Sequence, residues 1–342
     1  MTSMLGVDFA PLKVPLERRL QTLYVIWYVS VFLVWPISMS LLAIILLFTS
    51  YYWLTLGYML WYLYDLKVEN IPSRGGRRSD WLRNHRIHHL FRDYFPINLI
   101  KTAELDPNKN YIVGTHPHGI IGCTIFCNFA SEATGFSKMF PGIKPHTLTL
   151  RANFLWPVLR AYTLWMGICD VSRESIEYIT TKQGTGNAAI IVVGGAQEAL
   201  EARPGNYVLT LKRRQGFIRM AIKTGSSLVP VFSFGENDLY YQPNNPAGSK
   251  LRKFQETFKR IFGFTPPLFY GRGVFNYTFG VLPRRKPCYT IVGSPIEVEK
   301  DPNPSQEVVD KYHAMYMEQL SDLFDRHKEK YGVSKDVKLT FT

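Results

Sequence analysis

From Leu20 to Tyr64 the chain has no Asp, Glu, Lys or Arg, a stretch of 45 residues without a formal charge. Soluble cores seldom avoid charge for so long, so a wholly soluble chain is disfavoured. Cysteine is scarce, four in 342 residues. That excludes a disulfide framework and fits a reducing compartment. Acidic residues are outnumbered, 27 against 40 basic, leaving a net charge of +13. Such an excess asks for an anionic partner: nucleic acid, a membrane surface or a phosphorylated small molecule. Repeats and low-complexity tracts are absent. What is present is 46% apolar residues, which excludes a disordered chain, and 20% charged residues, which excludes a transporter sunk mostly in lipid. The length suggests about two structural units.

A membrane helix needs about 20 apolar residues. The uncharged run therefore suits two passes joined by a tight turn, with Pro36 and Ser38 near its middle. Trp27, Trp35, Trp53 and Trp61 match an aromatic interfacial belt. Arg18 and Arg19 precede the run; Lys67, Arg74, Arg77, Arg78 and Arg83 follow it. The positive-inside rule then puts both ends in the cytosol. A cleaved signal peptide is not expected, because the apolar run is too long and starts too late. The expected organisation is a cytosolic segment 1–19, a transmembrane helical hairpin 20–64 and a cytosol-facing domain 65–342, with Ser73 to Arg78 as linker.

Within that domain, Tyr111 to Gly114, Ala188 to Val193, Ser227 to Phe234 and Cys288 to Val292 read as buried strands. Ser79 to Tyr94 reads as an amphipathic helix whose basic residues are solvated. Gln215 to Thr224 reads as a helix stopped by Gly225, and a further helix follows Pro304 and Ser305. Strands alternating with helices imply an α/β layered domain.

The sharpest motif is His116-Pro117-His118-Gly119, entered directly from an apolar strand. A histidine at such a strand end suits a general base, and nearby backbone N–H groups suit an oxyanion. A packing histidine is the competing reading. Three further blocks follow in order: Gly167 to Arg173, then Gly194-Gly195-Ala196-Gln197-Glu198 after a strand, then Leu228-Val229-Pro230-Val231-Phe232. This order resembles the four blocks of glycerolipid acyltransferases. Those enzymes usually carry an Asp five residues after the histidine, where this chain has Ile121 or Cys123, and Pro-Glu-Gly where it has Gly194-Gly195-Ala196. The second departure fits a neutral acceptor.

Arg92-Asp93-Tyr94-Phe95-Pro96, the His-Pro-His-Gly loop, Val193-Gly194-Gly195 with Glu198, Phe232 to Asn237 and Gly271-Arg272-Gly273 together resemble the type 2 diacylglycerol and monoacylglycerol acyltransferase family, nearer its monoacylglycerol branch. The resemblance implies a membrane-anchored glycerolipid-acyltransferase-like domain behind a two-helix hairpin. It also implies residence in the endoplasmic reticulum membrane and on lipid droplets, acyl-CoA as donor substrate, a mono- or diacylglycerol acceptor, and no cofactor or metal. A homo-oligomer stays open, and nucleic acid is not an expected partner because no module signature accompanies the charge.

In the mechanism expected, His118 is the base and Glu198 orients its imidazole. His116 supports the loop or binds substrate, and Gly119 and Ile120 offer oxyanion donors. Arg173, Gly194, Gly195, Glu236 and Asn237 complete the expected substrate site. The residues alone do not separate His116 from His118, nor acylglycerol from a fatty alcohol that would give wax esters. A non-catalytic lipid-droplet hairpin protein is the alternative from another class. Other chemistries fit less well. His85, His88 and His89 lack the companion boxes of a di-iron site, Cys123 and Cys127 lack zinc-spaced partners, Gly184-Thr185-Gly186 precedes its strand, and no nucleophile elbow is present. The basic strings Lys212-Arg213-Arg214 and Arg284-Arg285-Lys286 suit solvated faces, coenzyme A phosphates or lipid headgroups.

Overall fold

The computed structural model describes residues 2–4, 6–11, 13–67, 70–243, 245–246, 248–262 and 267–342. A seven-stranded sheet runs through the domain: β1 (Ile97–Lys101), β2 (Tyr111–His116), β3 (Lys144–Thr149), β4 (Cys169–Asp170), β5 (Asn187–Val192), β6 (Ser227–Phe234) and β7 (Cys288–Val292), in the order β1-β7-β6-β2-β5-β3-β4. From β6 across to β4 every pairing is parallel. β7 is antiparallel to β6 and parallel to β1. Helices of eight or more residues are α1 (Leu16–Leu33), α2 (Trp35–Leu47), α3 (Tyr52–Lys67), α4 (Ile87–Tyr94), α5 (Arg173–Thr181), α7 (Gly216–Thr224), α8 (Lys250–Phe262) and α9 (Gln306–His327), with the short α6 (Gly195–Ala199) between α5 and α7.

Both faces of the central strands are covered. Ile112, Ile191, Leu228 and Phe232 pack under α5, α7 and α9. Tyr111, Val113, Ile190, Val229 and Val231 pack on the other side against Ile125, Phe129 and Phe136. Strands buried on two faces lose the polar alternation and read as continuous apolar runs. That is why β2, β5, β6 and β7 were legible within a residue or two. The strands β1, β3 and β4 were not: β1 and β4 are sheet edges, and β3 opens on Lys144-Pro145-His146.

The uncharged run is three helices, a correction to the expected two. α1 starts at Leu16, and its Tyr24, Val25, Tyr28 and Val29 are core residues packed with Phe91, Tyr94 and Phe126. The axis bends by 67° between α1 and α2, where the turn was expected, because Pro36 has no N–H to continue the ladder. The reversal itself falls at residues 48–51, and Thr55 Oγ1 donates to the Ala43 carbonyl across the α2–α3 pair at 3.2 Å. Leu41, Ile44, Ile45, Trp53 and Leu60 on this pair are exposed. Among the described residues no single helix is long and apolar enough to cross a membrane.

The expected linker is not free either. Arg77 N–H and Ser79 N–H donate to the Leu164 and Trp165 carbonyls at 3.0 and 2.8 Å. Buried Asp65, at the foot of α3, pairs with Arg77 and with Arg160 Nε at 2.7 Å. The expected helix 79–94 is broken into Asp80–Arg83 and α4. Arg83 is buried and donates to the Phe129, Ala130 and Met166 carbonyls at 2.6–2.9 Å. His88 is buried too, with Nε2 on the Leu82 carbonyl at 2.8 Å and Nδ1 on the Tyr24 hydroxyl at 2.6 Å. Two residues read as solvated are therefore internal struts, and no group of His, Cys, Asp and Glu among the described residues could hold a metal.

Gly114, inside β2, has a packing reason for its missing side chain: a Cβ there would overlap the Tyr316 hydroxyl from α9. Gly114→Ala should cost about 1–3 kcal/mol by overpacking. The measurement is thermal unfolding of the detergent-solubilised protein, and adding Tyr316→Phe should recover part of the loss.

Candidate active site

Parallel strands deliver their C-terminal ends to one sheet edge, and three neighbours, β5, β2 and β6, build the site there. β2 runs into His116-Pro117-His118-Gly119. β5 runs through Gly194 into α6 and brings Glu198. β6 runs through Gly235 and brings Glu236. The central strand thus carries the histidines, and each flanking strand brings one buried carboxylate.

Those carboxylates bind backbone. Glu198 Oε1 accepts the His118 N–H at 2.8 Å and Oε2 the Thr210 N–H at 3.0 Å. The sequence reading placed Glu198 on the His118 imidazole; the structure places it on the main chain of the same residue. Gly194 is needed for this fold-back, since a Cβ there would overlap the Glu198 carboxylate, while Gly195 supplies a positive φ of 56° at the start of α6. Glu236 accepts the Cys123 and Thr124 N–H groups at 3.0 and 2.8 Å, closing the far end of the loop. It presses against Gly119, where φ is 64° and any Cβ would strike its side chain. Asn237 Nδ2 donates to the Asn206 carbonyl at 3.0 Å. Glu236 and Asn237 are thus framework for the loop.

The two histidines differ in access. His116 is fully buried, its Nε2 lies 3.2 Å from the Tyr316 hydroxyl, and its Nδ1 has no partner. The Tyr316 hydroxyl donates to the Gly114 carbonyl at 3.1 Å, so it receives the His116 Nε2 proton. Burial pushes His116 down to about 3, so it stays neutral. His118 is half-buried, and its Nδ1 lies 3.0 Å from the Gly119 carbonyl. A carbonyl only accepts, so Nδ1 holds the proton and Nε2 keeps its lone pair. Burial lowers the His118 pKa below an ordinary histidine, with the Gly119 carbonyl partly opposing. Among the described residues no protein acceptor takes the Gly119 or Ile120 N–H. A neutral imidazole with an unbonded Nε2, followed in the chain by two N–H groups without protein acceptors, is the arrangement a general base with oxyanion donors would use.

Arg173 is not brought to this group. It is exposed at the first turn of α5, after edge strand β4. It shares the sheet edge with His118 but lies three strands away, roughly 14 Å at the usual strand spacing. The sequence reading missed Thr210 and Tyr316. Thr210 carried no signal, because only its N–H is used. Tyr316 had one, a glycine interrupting the apolar strand it closes on.

Fold and site define an α/β protein with a His-Pro-His-Gly loop at the C-terminal edge of a mainly parallel sheet, held by two buried carboxylates. The family model for diacylglycerol acyltransferase matches residues 44–342, and the chain belongs to that family. It is 44% identical over 336 residues to 2-acylglycerol O-acyltransferase 1 of Bos taurus, covering 98% of this chain and 99% of that one. It is 48% identical over 318 residues to diacylglycerol O-acyltransferase 2 of Mus musculus, covering 93% and 81%. Among solved structures, the 1-acyl-sn-glycerophosphate acyltransferase PlsC of Thermotoga maritima matches with a TM-score of 0.41 at 13% identity, over 93% of this chain and 98% of that one.

The geometry sets what Glu198→Gln should do. An amide offers one acceptor where two N–H groups converge, so one is left opposite a donor. The expected cost is about 1–3 kcal/mol of stability, read as a lower unfolding temperature. The pH dependence is a second readout. Burial raises the Glu198 carboxyl from an ordinary 4.5 to about 7, against the pull of the Thr210 and His118 N–H groups. A carboxyl raised on folding contributes stability that is full below the unfolded value and lost as pH rises through the folded one. Wild-type stability should therefore decline between about pH 4.5 and 7, and the Gln variant should be flatter over that window.

Proposed function

We propose that the chain is an acyl-CoA-dependent O-acyltransferase that moves a fatty acyl group to the hydroxyl of mono- or diacylglycerol, a step of triacylglycerol synthesis. The observation that carries the chemistry is the His118 ring: neutral, half-buried, with Nδ1 tied to the Gly119 carbonyl and Nε2 open. Family membership supplies the reaction class. Nε2 takes the proton of the acceptor hydroxyl as its oxygen attacks the thioester carbonyl. The Gly119 and Ile120 N–H groups hold the oxyanion. Collapse breaks the C–S bond, and the imidazolium returns its proton to the departing thiolate. Transfer is direct, since the loop offers no Ser, and its nearest thiol, Cys123, is buried with its pKa pushed far up by burial. Acylglycerol enzymes of both kinds are similar over nearly the whole chain, so the two acceptors stand together.

Location belongs to the same proposal. α2 and α3, with 13 and 16 residues, rise about 20 and 24 Å, short of the roughly 30 Å hydrocarbon core. A pair that enters and returns on one face keeps both ends cytosolic, in the endoplasmic reticulum membrane or on a lipid droplet. An N-glycosylation sequon stands at Asn276-Tyr277-Thr278. With the domain in the cytosol it should remain unmodified, and an endoglycosidase-sensitive mass shift lost in Asn276→Gln would refute that side of the membrane.

His118→Ala should abolish transfer while expression and membrane association persist, a loss of about 10²–10⁴-fold or more from removal of the base. His116→Ala should be milder in rate and lower the unfolding temperature. The assay offers labelled acyl-CoA to membranes with monoacylglycerol, diacylglycerol and fatty alcohol in parallel. The wild-type rate should fall only when pH drops through the lowered His118 pKa, below the ordinary histidine midpoint, because the protonated ring cannot accept a proton. A wild-type rate in His118→Ala, or an acid limb above pH 7, would overturn the assignment.

A further inference from the structure

Outside the histidine loop the structure holds a groove of about 1240 Å³ between α1 and the segment 272–286. Arg18, Arg19, Arg272, Arg284, Arg285 and Lys286 line it, and no Asp or Glu does. Of these, Arg18, Arg272, Arg284, Arg285 and Lys286 form no ion pair among the described residues. Arg272 is only 7% exposed, stacked 4.9 Å over the Tyr277 ring, with Nε on the Gly273 carbonyl. Arg284 lies 4.0 Å over Tyr241, and its buried Nε has no acceptor. Arg285 is fixed to α1 by bonds to Gln21 Oε1, the Arg18 carbonyl and Thr22 Oγ1 at 2.6–3.1 Å. Burying guanidinium groups without counter-charges is costly unless something anionic arrives. Leu20, Leu23, Ile26 and Phe275 give the same groove an apolar wall.

The register fixes where this groove opens. His116 pairs with Phe232 on β6, and Phe234 two residues on pairs with Tyr289 on β7. Because β7 runs antiparallel to β6, its entry, residues 284–287, is at the same sheet edge as the exit of β2. The two are two strands apart, about 10 Å at the usual spacing. The groove therefore stands beside the histidine loop, on the same edge of the domain.

We propose that this groove holds the phosphorylated nucleotide end of the acyl-CoA donor, with its extended arm leading the thioester along the sheet edge to His118. The assignment rests on the acyltransferase reading and deepens it. Three features match the ligand. Guanidinium groups suit phosphate oxygens in a way a lone ammonium does not. Arg18, Arg272, Arg284, Arg285 and Lys286 form no ion pair among the described residues, so binding there displaces none. An apolar wall beside them suits a ligand whose other end is a fatty chain. The competing basic string, Lys212-Arg213-Arg214, is exposed in all three residues and does not line this groove.

The test uses the full chain in neutral phosphatidylcholine nanodiscs and two donors, acyl-CoA and acyl-pantetheine, which lacks the nucleotide. The first variant is Arg18→Gln with Lys286→Gln, both exposed and outside the framework bonds. The second is Lys212→Gln with Arg213→Gln. In the first, KM for acyl-CoA should rise about tenfold, the effect of losing one or two charge-assisted contacts, with kcat within about twofold and KM for acyl-pantetheine unchanged. Equilibrium binding of free CoA should weaken in parallel, and this is measured without turnover. An unchanged KM and CoA affinity, an equal loss with both donors as a membrane-surface contact would give, or a loss confined to the 212–213 variant would each overturn the assignment. Wild-type binding of CoA without transfer to any acceptor would overturn the acyltransferase reading while leaving the groove assignment supported.

Discussion

Two buried carboxylates hold the histidine loop, and the rest of the site depends on them. A loop that leaves a buried strand cannot satisfy its N–H groups through the sheet, and buried donors without acceptors are costly. Glu198 takes the N–H of His118, and Glu236 takes those of Cys123 and Thr124. The Gly119 and Ile120 N–H groups between these anchors take no protein acceptor among the described residues. In the proposed mechanism, anchoring both ends while leaving the centre unbonded pre-organises the oxyanion site. The glycines follow from the same need. Gly194 and Gly119 are the places where a carboxylate crosses close over backbone, and a Cβ at either would push it away.

Much of this was readable from residues, and the failures have specific causes. The His-Pro-His-Gly loop, Glu198 and Glu236 stood out because strands buried on both faces end abruptly in polar residues. The partner atoms did not stand out. A carboxylate near a histidine in sequence logic suggests a bond to the ring, yet Glu198 serves the peptide N–H, which every residue but proline owns and which leaves no mark on composition. Arg83 and His88 were misread for a related reason. Spacing placed them on a basic helical face, but the helix breaks at residues 84–86, and the break turns both side chains inward onto backbone carbonyls. Helical periodicity presumes a continuous axis, so a face carried across the break is unsafe, while the apolar face within α4 itself packs into the core through buried Phe91 and Tyr94 and partly buried Leu90.

The uncharged run shows how one compositional signal can mix two environments. Its first part, on α1, is apolar because it completes the domain core, with Tyr28 donating to the Ile121 carbonyl in the loop that follows His118. Its second part, on α2 and much of α3, is apolar and outward-facing, with Tyr62 donating to the Leu155 carbonyl and Tyr58 accepting the Val158 N–H where α3 meets the domain. Hydropathy cannot separate these, since both environments exclude charge. What separates them is polar decoration. α1 carries Gln21, Thr22 and tyrosines that find partners in the domain, whereas α2 has only Ser38 and Ser40, each bonded within its own helix. Asp65 then fixes the foot of α3 to the domain through Arg77 and Arg160. The apolar pair is thereby held at both ends to the body carrying the histidines.

This attachment bears on why His118 and His116 have different surroundings, and in the proposed mechanism different roles, despite standing two residues apart. Both are neutral, since burial lowers both pKa values. Protonation state therefore does not choose between them, and geometry must. In an extended strand, side chains two residues apart point to the same face. The turn after His116 breaks that rule. His116 is still within β2 and points under α9 to Tyr316, where no acceptor alcohol can follow. His118 lies beyond the sheet, its Nδ1–H donated to the Gly119 carbonyl and its Nε2 free of a protein partner among the described residues. In the proposed mechanism a base that must meet a lipid alcohol has to sit at an opening, and the sheet edge is where the fold places His118. The inner histidine supports that position: Tyr316 bonds to both its ring and the Gly114 carbonyl, fixing the strand end from which the outer one projects.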